Sequence, residues 1–240
     1  MIDKRVKTPA DAVRDIEDGA TILLSGFGEA GIPTELVYAL IDQGAKDLTV
    51  VANNAGNGHV GLAALLEAGR VRKMICSFPR SSHSEVFQEL YAVGRIELEV
   101  VPQGTLAERL RAGGAGIGGF YTPTGAGTPL AEGKERRAID GREHVLEFPI
   151  RGDVALIKAD RADPWGNLTY RKSARNFAPP MCTAAEVTIV QVREVVALGA
   201  IDPEHVVTPS VFVDRIVEVP DPVSEAKILL GLEENPWAAP

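Results

Sequence analysis

Three groups of residues in this chain have the types and spacing to do chemistry. Gly26-Phe27-Gly28-Glu29-Ala30-Gly31 follows the apolar run Thr21 to Ser25 and precedes Pro33. It reads as a strand-to-helix turn whose glycines let backbone N–H groups approach a ligand, or simply let the chain turn tightly. Glu29, inside that turn, is a candidate base. Asn53 ends a β-branched run, and Gln103 stands between an apolar run and a helical segment. Such positions project amides from the carboxyl edge of an open α/β sheet, where ligands bind; the alternative is an amide that steadies its own loop. Lys172 and Arg175 can each pair with a carboxylate, or lie on a solvated face or against another protein chain.

The glycines of the turn match G-x-G-x-x-G, which suggests a dinucleotide site. That reading also needs an acid at the end of the next strand to hold ribose hydroxyls. Here the strand ends in Asn53 and Asn54. No Gly-Lys-Ser/Thr follows a glycine loop, so the P-loop pattern is absent as well. A second match, Gly114 to Gly119, follows a helix and carries no such signal. An NAD-dependent oxidoreductase is therefore the weaker reading.

The elements that must position these residues alternate along the chain. Helical patterns cover 8–17, 33–44, 60–69, 84–94 and 105–113, with a capping box from Thr105 to Glu108 and Gly113 past the last helix's end. Strand patterns cover 21–25, 48–56, 71–78, 96–102 and 153–160, with a strand or edge ribbon at 144–150, a loop or short helix and then a strand over 179–192, and a late strand at 211–219. A short helix is expected over 224–232. Alternating elements joined by short turns imply an α/β fold: a three-layer, open, mostly parallel sheet with helices on both faces, as one domain over 1–240. Residues 113–133 hold eight glycines and two prolines, and read as a long functional loop. The tail 233–240 is expected to fray.

Composition narrows the classes. The net charge is -8 with a pI near 5.1, which argues against nucleic-acid binding. Hydrophobic residues make up 45% and aromatics only 5%, so the core must be aliphatic. Cys76 and Cys182 lie in apolar segments, as expected for buried free thiols in a reducing compartment. The histidines, His59, His83, His144 and His205, are scattered, so no metal site is expected. No apolar run is long enough to span a membrane, and MIDKRVKTPADAV lacks the apolar region of a signal peptide. A cytoplasmic protein is expected.

Four stretches, taken together, resemble the A-type (alpha) subunit of the family I CoA-transferases, the 3-oxoacid and 3-oxoadipate type. They are DGATILLSGFGEAGIP (18–33), ANNAGNGHVGL (52–62), LEVVPQGTLAERLRAGGAGIGGFYTPTGAGT (98–128) and KADRADPWGNLTYRKSARNF (158–177). Ser25 departs from the pattern, where glycine is common. The resemblance implies CoA transfer from succinyl-CoA to 3-oxoadipate, or to acetoacetate in related branches, with a CoA thioester as substrate and no cofactor. It implies a ping-pong mechanism through a glutamyl-CoA thioester, with the nucleophilic glutamate on a separate B-type subunit and a hetero-oligomer such as A2B2. This chain would then carry no catalytic nucleophile and be inactive alone. Gln103 and Asn53 would bind substrate or stabilise an oxyanion. Gly26, Phe27, Gly28 and Gly31 would form a backbone wall, with Gly113, Gly114 and Gly116 as a second. Lys172 and Arg175 would meet the carboxylates of a dicarboxylic substrate. A binding module that kept the fold without catalysis is the rival reading.

Overall fold

The computed structural model describes residues 2–81 and 83–238. In chain order its elements are α1 (Pro9–Val13), β1 (Thr21–Leu24), α2 (Thr34–Gln43), β2 (Leu48–Asn54), α3 (Leu62–Glu67), β3 (Val71–Phe78), α4 (Glu85–Ala92), β4 (Glu97–Val100), α5 (Gln103–Ala115), β5 (Phe120–Thr122), β6 (Arg136–Ile139), β7 (Arg142–Glu147), β8 (Gly152–Ala162), β9 (Leu168–Thr169), α6 (Ala178–Ala184), β10 (Ala185–Val195), β11 (Arg215–Glu218) and α7 (Glu225–Leu229). The main sheet runs β11-β10-β8-β1-β2-β3-β4, with β9 paired to β8. All neighbours along that path are parallel, and only β9 is antiparallel. The expected α/β sheet, mostly parallel and covered on both faces, is the one that forms.

Period-two alternation along the strands builds two cores. Ile22, Leu24, Val50, Met74 and Leu156 point to one face, against Leu36 and Leu40 of α2, Leu65 and Leu66 of α3 and Phe87 of α4. Leu23, Val51, Ile75 and Ile157 point to the other, against Leu106 and Leu110 of α5 and Met181 and Cys182 of α6. Each fully buried aliphatic side chain of this size contributes about 2 kcal/mol. Strand β2 is buried along its whole length, as a strand covered on both faces must be. Both cysteines are buried free thiols, and burial pushes each up to about 12.

Local signals set the element ends. The Thr8 side chain accepts from the Asp11 N–H and caps α1, with Pro9 in its first turn. Gly44, at φ 101°, ends α2 in a left-handed cap whose N–H reaches the Leu40 carbonyl. In the Asp163-to-Asn167 turn, one carboxylate oxygen of Asp163 accepts from the N–H groups of Trp165, Gly166 and Asn167.

Three expectations need correction. Helix α5 starts at Gln103, not Thr105, so the Thr105–Glu108 capping box does not form; Thr105 Oγ1 is buried without a partner among the described residues. The same helix runs on through Gly113 and Gly114 to a left-handed cap at Gly116. The stretch 113–133 is therefore not a long loop. Its middle is β5, which joins β7 and β6 in a small antiparallel sheet. The β6–β7 hairpin turns at Asp140 and Gly141, both with positive φ (51° and 73°), the geometry that Asp-Gly favours in a two-residue hairpin. Two residues of the tail pack back on the body: the Trp237 ring stacks on Tyr38, centroids 3.9 Å apart, and Asn235 Nδ2 donates to the Tyr38 hydroxyl at 3.4 Å. Residues 239 and 240 of the expected frayed tail lie outside the described residues.

The glycines of α5 serve packing. A Cβ on Gly113 would stand 2.1 Å from the Ile150 carbonyl oxygen, and one on Gly114 would stand 2.1 Å from Thr183 Oγ1. The helix can approach α6 and the Ile150 backbone only because both positions lack a side chain. Gly113→Ala is therefore expected to destabilise the chain by about 2 to 3 kcal/mol through overpacking. The check is a urea unfolding curve, which should show a lower midpoint at unchanged slope.

Candidate active site at the carboxyl edge of the sheet

Parallel strands all end on one edge, so β1, β2, β3 and β4 deliver their following residues to the same place. Strand β1 delivers the glycine turn, β2 delivers Asn53 and Asn54, β3 delivers Ser77, and β4 leads through Val101 and Pro102 to Gln103. The Gln103 Nε2 amide donates to Asn53 Oδ1 at 2.8 Å. Ser77 Oγ reaches the Asn53 carbonyl at 3.0 Å and the same Oδ1 at 3.1 Å. With its oxygen held from two sides, Asn53 is fixed in rotation. Its Nδ2 donors, and one N–H of Gln103, have no partner among the described residues. Asn53 is 5% exposed, whereas Gln103 is exposed at the start of α5. The two amides expected to share a site are thus in contact.

Beside them lies a cleft of about 280 Å³ lined by Phe27, Gln103, Gly104, Ala107, Asn176, Phe177 and Pro180. Phe27 stands 49% exposed at its wall. The glycine turn is a tight reversal: Phe27 N–H and Ala30 N–H each donate to the other residue's carbonyl, at 3.0 and 3.1 Å.

Individual glycines of the turn have different jobs. The Gly26 N–H is taken up by Asn176 Oδ1 at 3.1 Å, and a Cβ there would meet Ile32 Cγ1 at 2.7 Å. A Cβ on Gly31 would stand 2.6 Å from both the Ala174 carbonyl oxygen and Asn176 Nδ2. Gly26 and Gly31 therefore serve close packing, and Gly26 has no N–H left for a ligand. Gly28, at φ +57°, has open space beside it. The N–H groups of Gly28 and Glu29 have no partner among the described residues, so any backbone wall at this turn is theirs. Gly113, Gly114 and Gly116 form no second wall: the first two are spent on helix packing and the third caps α5. Glu29, half-buried, accepts from Asn57 Nδ2 at 2.7 Å, which suits a carboxylate holding the 54–61 loop.

Asn176 is the site residue that the sequence did not single out. Its amide donates to the Ala30 carbonyl at 3.0 Å and to the Ser173 carbonyl at 3.1 Å, and accepts from Gly26 and Phe177. All four hydrogen-bonding positions of one amide are used. Its φ of 22° is rare for a residue with a side chain; asparagine tolerates such backbone better than most. It follows the 3-10 turn Lys172–Arg175, which lies against Gly31. Lys172 and Arg175 are exposed on that turn, near the glycine turn but outside the cleft lining. Ser25, the departure from the family pattern, is buried; its hydroxyl donates to the Gly31 carbonyl at 2.7 Å and accepts from Lys158 N–H at 3.1 Å. A glycine there could make neither bond. Among the described residues, no three His, Cys, Asp or Glu side chains converge as a metal site would require.

Asn176→Ala leaves the Gly26 and Phe177 N–H groups without their partner. The expected cost is about 2 to 3 kcal/mol. Hydrogen exchange should become faster at Gly26 and through the turn, while β10 and β11 keep their protection.

Comparison with known proteins assigns the chain to a family. Residues 6–219 match the family model described as Coenzyme A transferase. The chain is 62% identical over 219 residues to the A-type subunit of 3-oxoadipate CoA-transferase from Pseudomonas putida, covering 91% of this chain and 95% of that protein. It is 48% identical over 214 residues to the A-type subunit of the probable succinyl-CoA:3-ketoacid coenzyme A transferase from Bacillus subtilis, covering 89% of each. Among solved structures, an acyl-CoA transferase from E. coli O157:H7 shares the fold with a TM-score of 0.82 at 24% identity, over 92% of this chain. This chain spans about half the length of that E. coli chain, 50%. No helix among the described residues is long and apolar enough to cross a membrane. By the family match over nearly its whole length, and by its identity to members of that family, the chain belongs to the coenzyme A transferases.

Proposed function

We propose that this chain is the A-type subunit of a cytoplasmic transferase that moves CoA from succinyl-CoA to 3-oxoadipate, and that it works only with a B-type partner, in an A2B2 assembly. The observation that carries the site assignment is the Asn53–Gln103 contact, two oriented amides with N–H donors to spare, of which Gln103 lines the cleft. In this reading a glutamate supplied by the B-type partner attacks the thioester carbonyl. The carbonyl π electrons move to oxygen, and the tetrahedral oxyanion needs donors already in place. In this reading Asn53 Nδ2 and Gln103 Nε2 supply them, with the N–H groups of Gly28 and Glu29 in the glycine turn. Collapse of the oxyanion expels CoA thiolate and leaves a mixed anhydride. The thiolate then attacks the glutamyl carbonyl, releases succinate and leaves the glutamyl-CoA thioester. 3-Oxoadipate repeats the sequence in reverse.

The exposed phenyl ring of Phe27 supports the same reading, since an apolar wall keeps water from the activated glutamate. In this reading Lys172 and Arg175, exposed outside the cleft lining, meet the far carboxylate of a dicarboxylic acid. This chain holds no catalytic nucleophile in this scheme, and Glu29 holds its loop through Asn57.

The test is to co-express the chain with its B-type partner and measure transfer from succinyl-CoA to 3-oxoadipate and to acetoacetate. Gln103→Ala should lower kcat by about 100-fold, the usual cost of one oxyanion donor; a change within about twofold rules that role out. Transfer by this chain alone would overturn the divided site. Faster transfer to acetoacetate than to 3-oxoadipate would overturn the substrate assignment, and binding of either acid without transfer would favour the non-catalytic module. Replacing Lys172 and Arg175 together by Ala should raise KM for 3-oxoadipate by about tenfold or more and leave KM for acetoacetate unchanged, because only the former carries a second carboxylate.

A further inference from the structure

The two helices that follow β1 and β2 are fixed by a part of the chain outside the family match. Helix α2 begins at Thr34, just past the glycine turn, and α3 begins after Gly61, at the end of the 54–61 loop. The carboxyl group of Glu225 lies between these two helix starts. Thr34 Oγ1 donates to Glu225 Oε1 at 2.8 Å, and a Cβ on Gly61 would stand 1.9 Å from the same oxygen. Near the end of α7, Leu229 Cδ2 fills the space beside Gly58, 2.5 Å from where a Cβ would be. Upstream, Val223 N–H donates to Glu35 Oε1 at 2.7 Å. Downstream, Trp237 stacks on Tyr38 with the ring planes 8° apart. Segment 222–238 therefore grips α2 and the 54–61 loop together, and it lies beyond the matched residues 6–219.

We propose that segment 222–238 is a strap that positions the 54–61 loop for transfer, with Glu225 as its anchor. Glu225 is a positioning residue, since it acts through the loop and touches no reacting atom; this role rests on the transferase reading above. The loop leaves Asn53 directly, and its Asn57 holds Glu29 of the glycine turn. A shift at Gly61 or Gly58 therefore reaches both sides of the candidate site.

The anchor carboxyl is 5% exposed. Glu35 of α2, Glu29 of the glycine turn and Lys158 of β8 carry the charges that act on it. Burial pushes its pKa up to about 7, against the opposing effects of the Thr34 hydrogen bond and Lys158. A carboxyl group raised in the docked state keeps its proton there longer than in the undocked one. Docking is thus unaffected below the ordinary carboxylate range and weakens as pH rises from that range to about 7.

Trp165 and Trp237 are the chain's two tryptophans, so a Trp165→Phe background makes Trp237 emission report strap docking in the full chain with its co-expressed partner. Glu225→Ala should red-shift that emission and lower kcat by about tenfold, with KM within about threefold of the parent. Glu225→Gln, which keeps a neutral hydrogen-bonding group, should restore parental emission and kcat and abolish the shift in emission with rising pH. Unchanged Trp237 emission in Glu225→Ala would overturn the anchor. A red shift with parental kcat would overturn positioning of the site. Should Glu225→Ala fail to fold, Thr34→Val applies the same test with the carboxyl group kept. A parent complex without transfer would overturn the reaction assigned above, while the emission arm still decides whether Glu225 holds the strap.

Discussion

Strand β1 is hydrogen-bonded on both sides, with Ile22 in register with Val50 of β2 and Val154 of β8. That double pairing fixes where the strand stops, and the candidate site hangs from that point. Because the neighbours run parallel, the ends of β1, β2 and β3 lie side by side, and two consecutive crossovers bring the glycine turn, Asn53 and Ser77 to the same edge. An antiparallel neighbour would have delivered a turn from the opposite edge. The Ser25 hydroxyl extends the constraint past the last β1 residue by joining the Gly31 carbonyl to the Lys158 N–H. The turn is therefore tied at its start and its end to strands that cannot move independently of the core.

Much of the scaffold was legible because its signals are local. Thr8-Pro9, Gly44 and Asp163 each set an element boundary through bonds within a few residues of themselves, so sequence spacing is enough to read them. Gln103 and Asn53 were legible as a pair from strand ends alone, since parallel pairing places them on one edge. Asn176 was not: it closes the glycine turn from 150 residues away, and no local pattern separates a clamping asparagine from a surface one. The glycine-rich stretch 113–133 misled for a different reason. Glycine at a flexible position and glycine at a crowded one look the same in sequence. At Gly113 and Gly114 the cause is crowding, from the Ile150 carbonyl and Thr183. The Asp140-Gly141 hairpin was a readable signal that the glycine count obscured.

The buried polar groups near the start of α2 show how the fold manages charge. Lys158, within β8, has its pKa lowered by burial, while Glu35 and Glu225 act in the opposite direction. Glu35 also accepts from Val223 N–H and from the Gln191 side chain. An isolated buried charge would cost several kcal/mol. Here two carboxyl groups and one ammonium lie within electrostatic range, and bonds to Thr34, Val223 and Gln191 satisfy much of the carboxyl oxygens' capacity. The helix start after the glycine turn is thus a crowded, acidic place.

That crowding explains why a G-x-G-x-x-G turn here does not imply a dinucleotide. A pyrophosphate at such a turn takes the N–H groups of the glycine loop and of the first helical turn, and is favoured by the helix dipole. In this chain the Gly26 N–H goes to Asn176 and the Phe27 N–H to the Ala30 carbonyl. At the first turn of α2, Thr34 is engaged by the carboxyl group of Glu225, and Glu35 stands next to it. A diphosphate would have to displace one carboxyl group and tolerate another, at a cost that grows with burial. The donors left over, on Gly28, Glu29, Asn53 and Gln103, are few, and Gln103 lines the cleft. In the proposed reading they serve one developing oxyanion on an uncharged thioester carbonyl, not the permanent charge of a pyrophosphate. The same glycine spacing therefore serves two chemistries, and the residues that decide between them are the distant ones, Asn176 and Glu225.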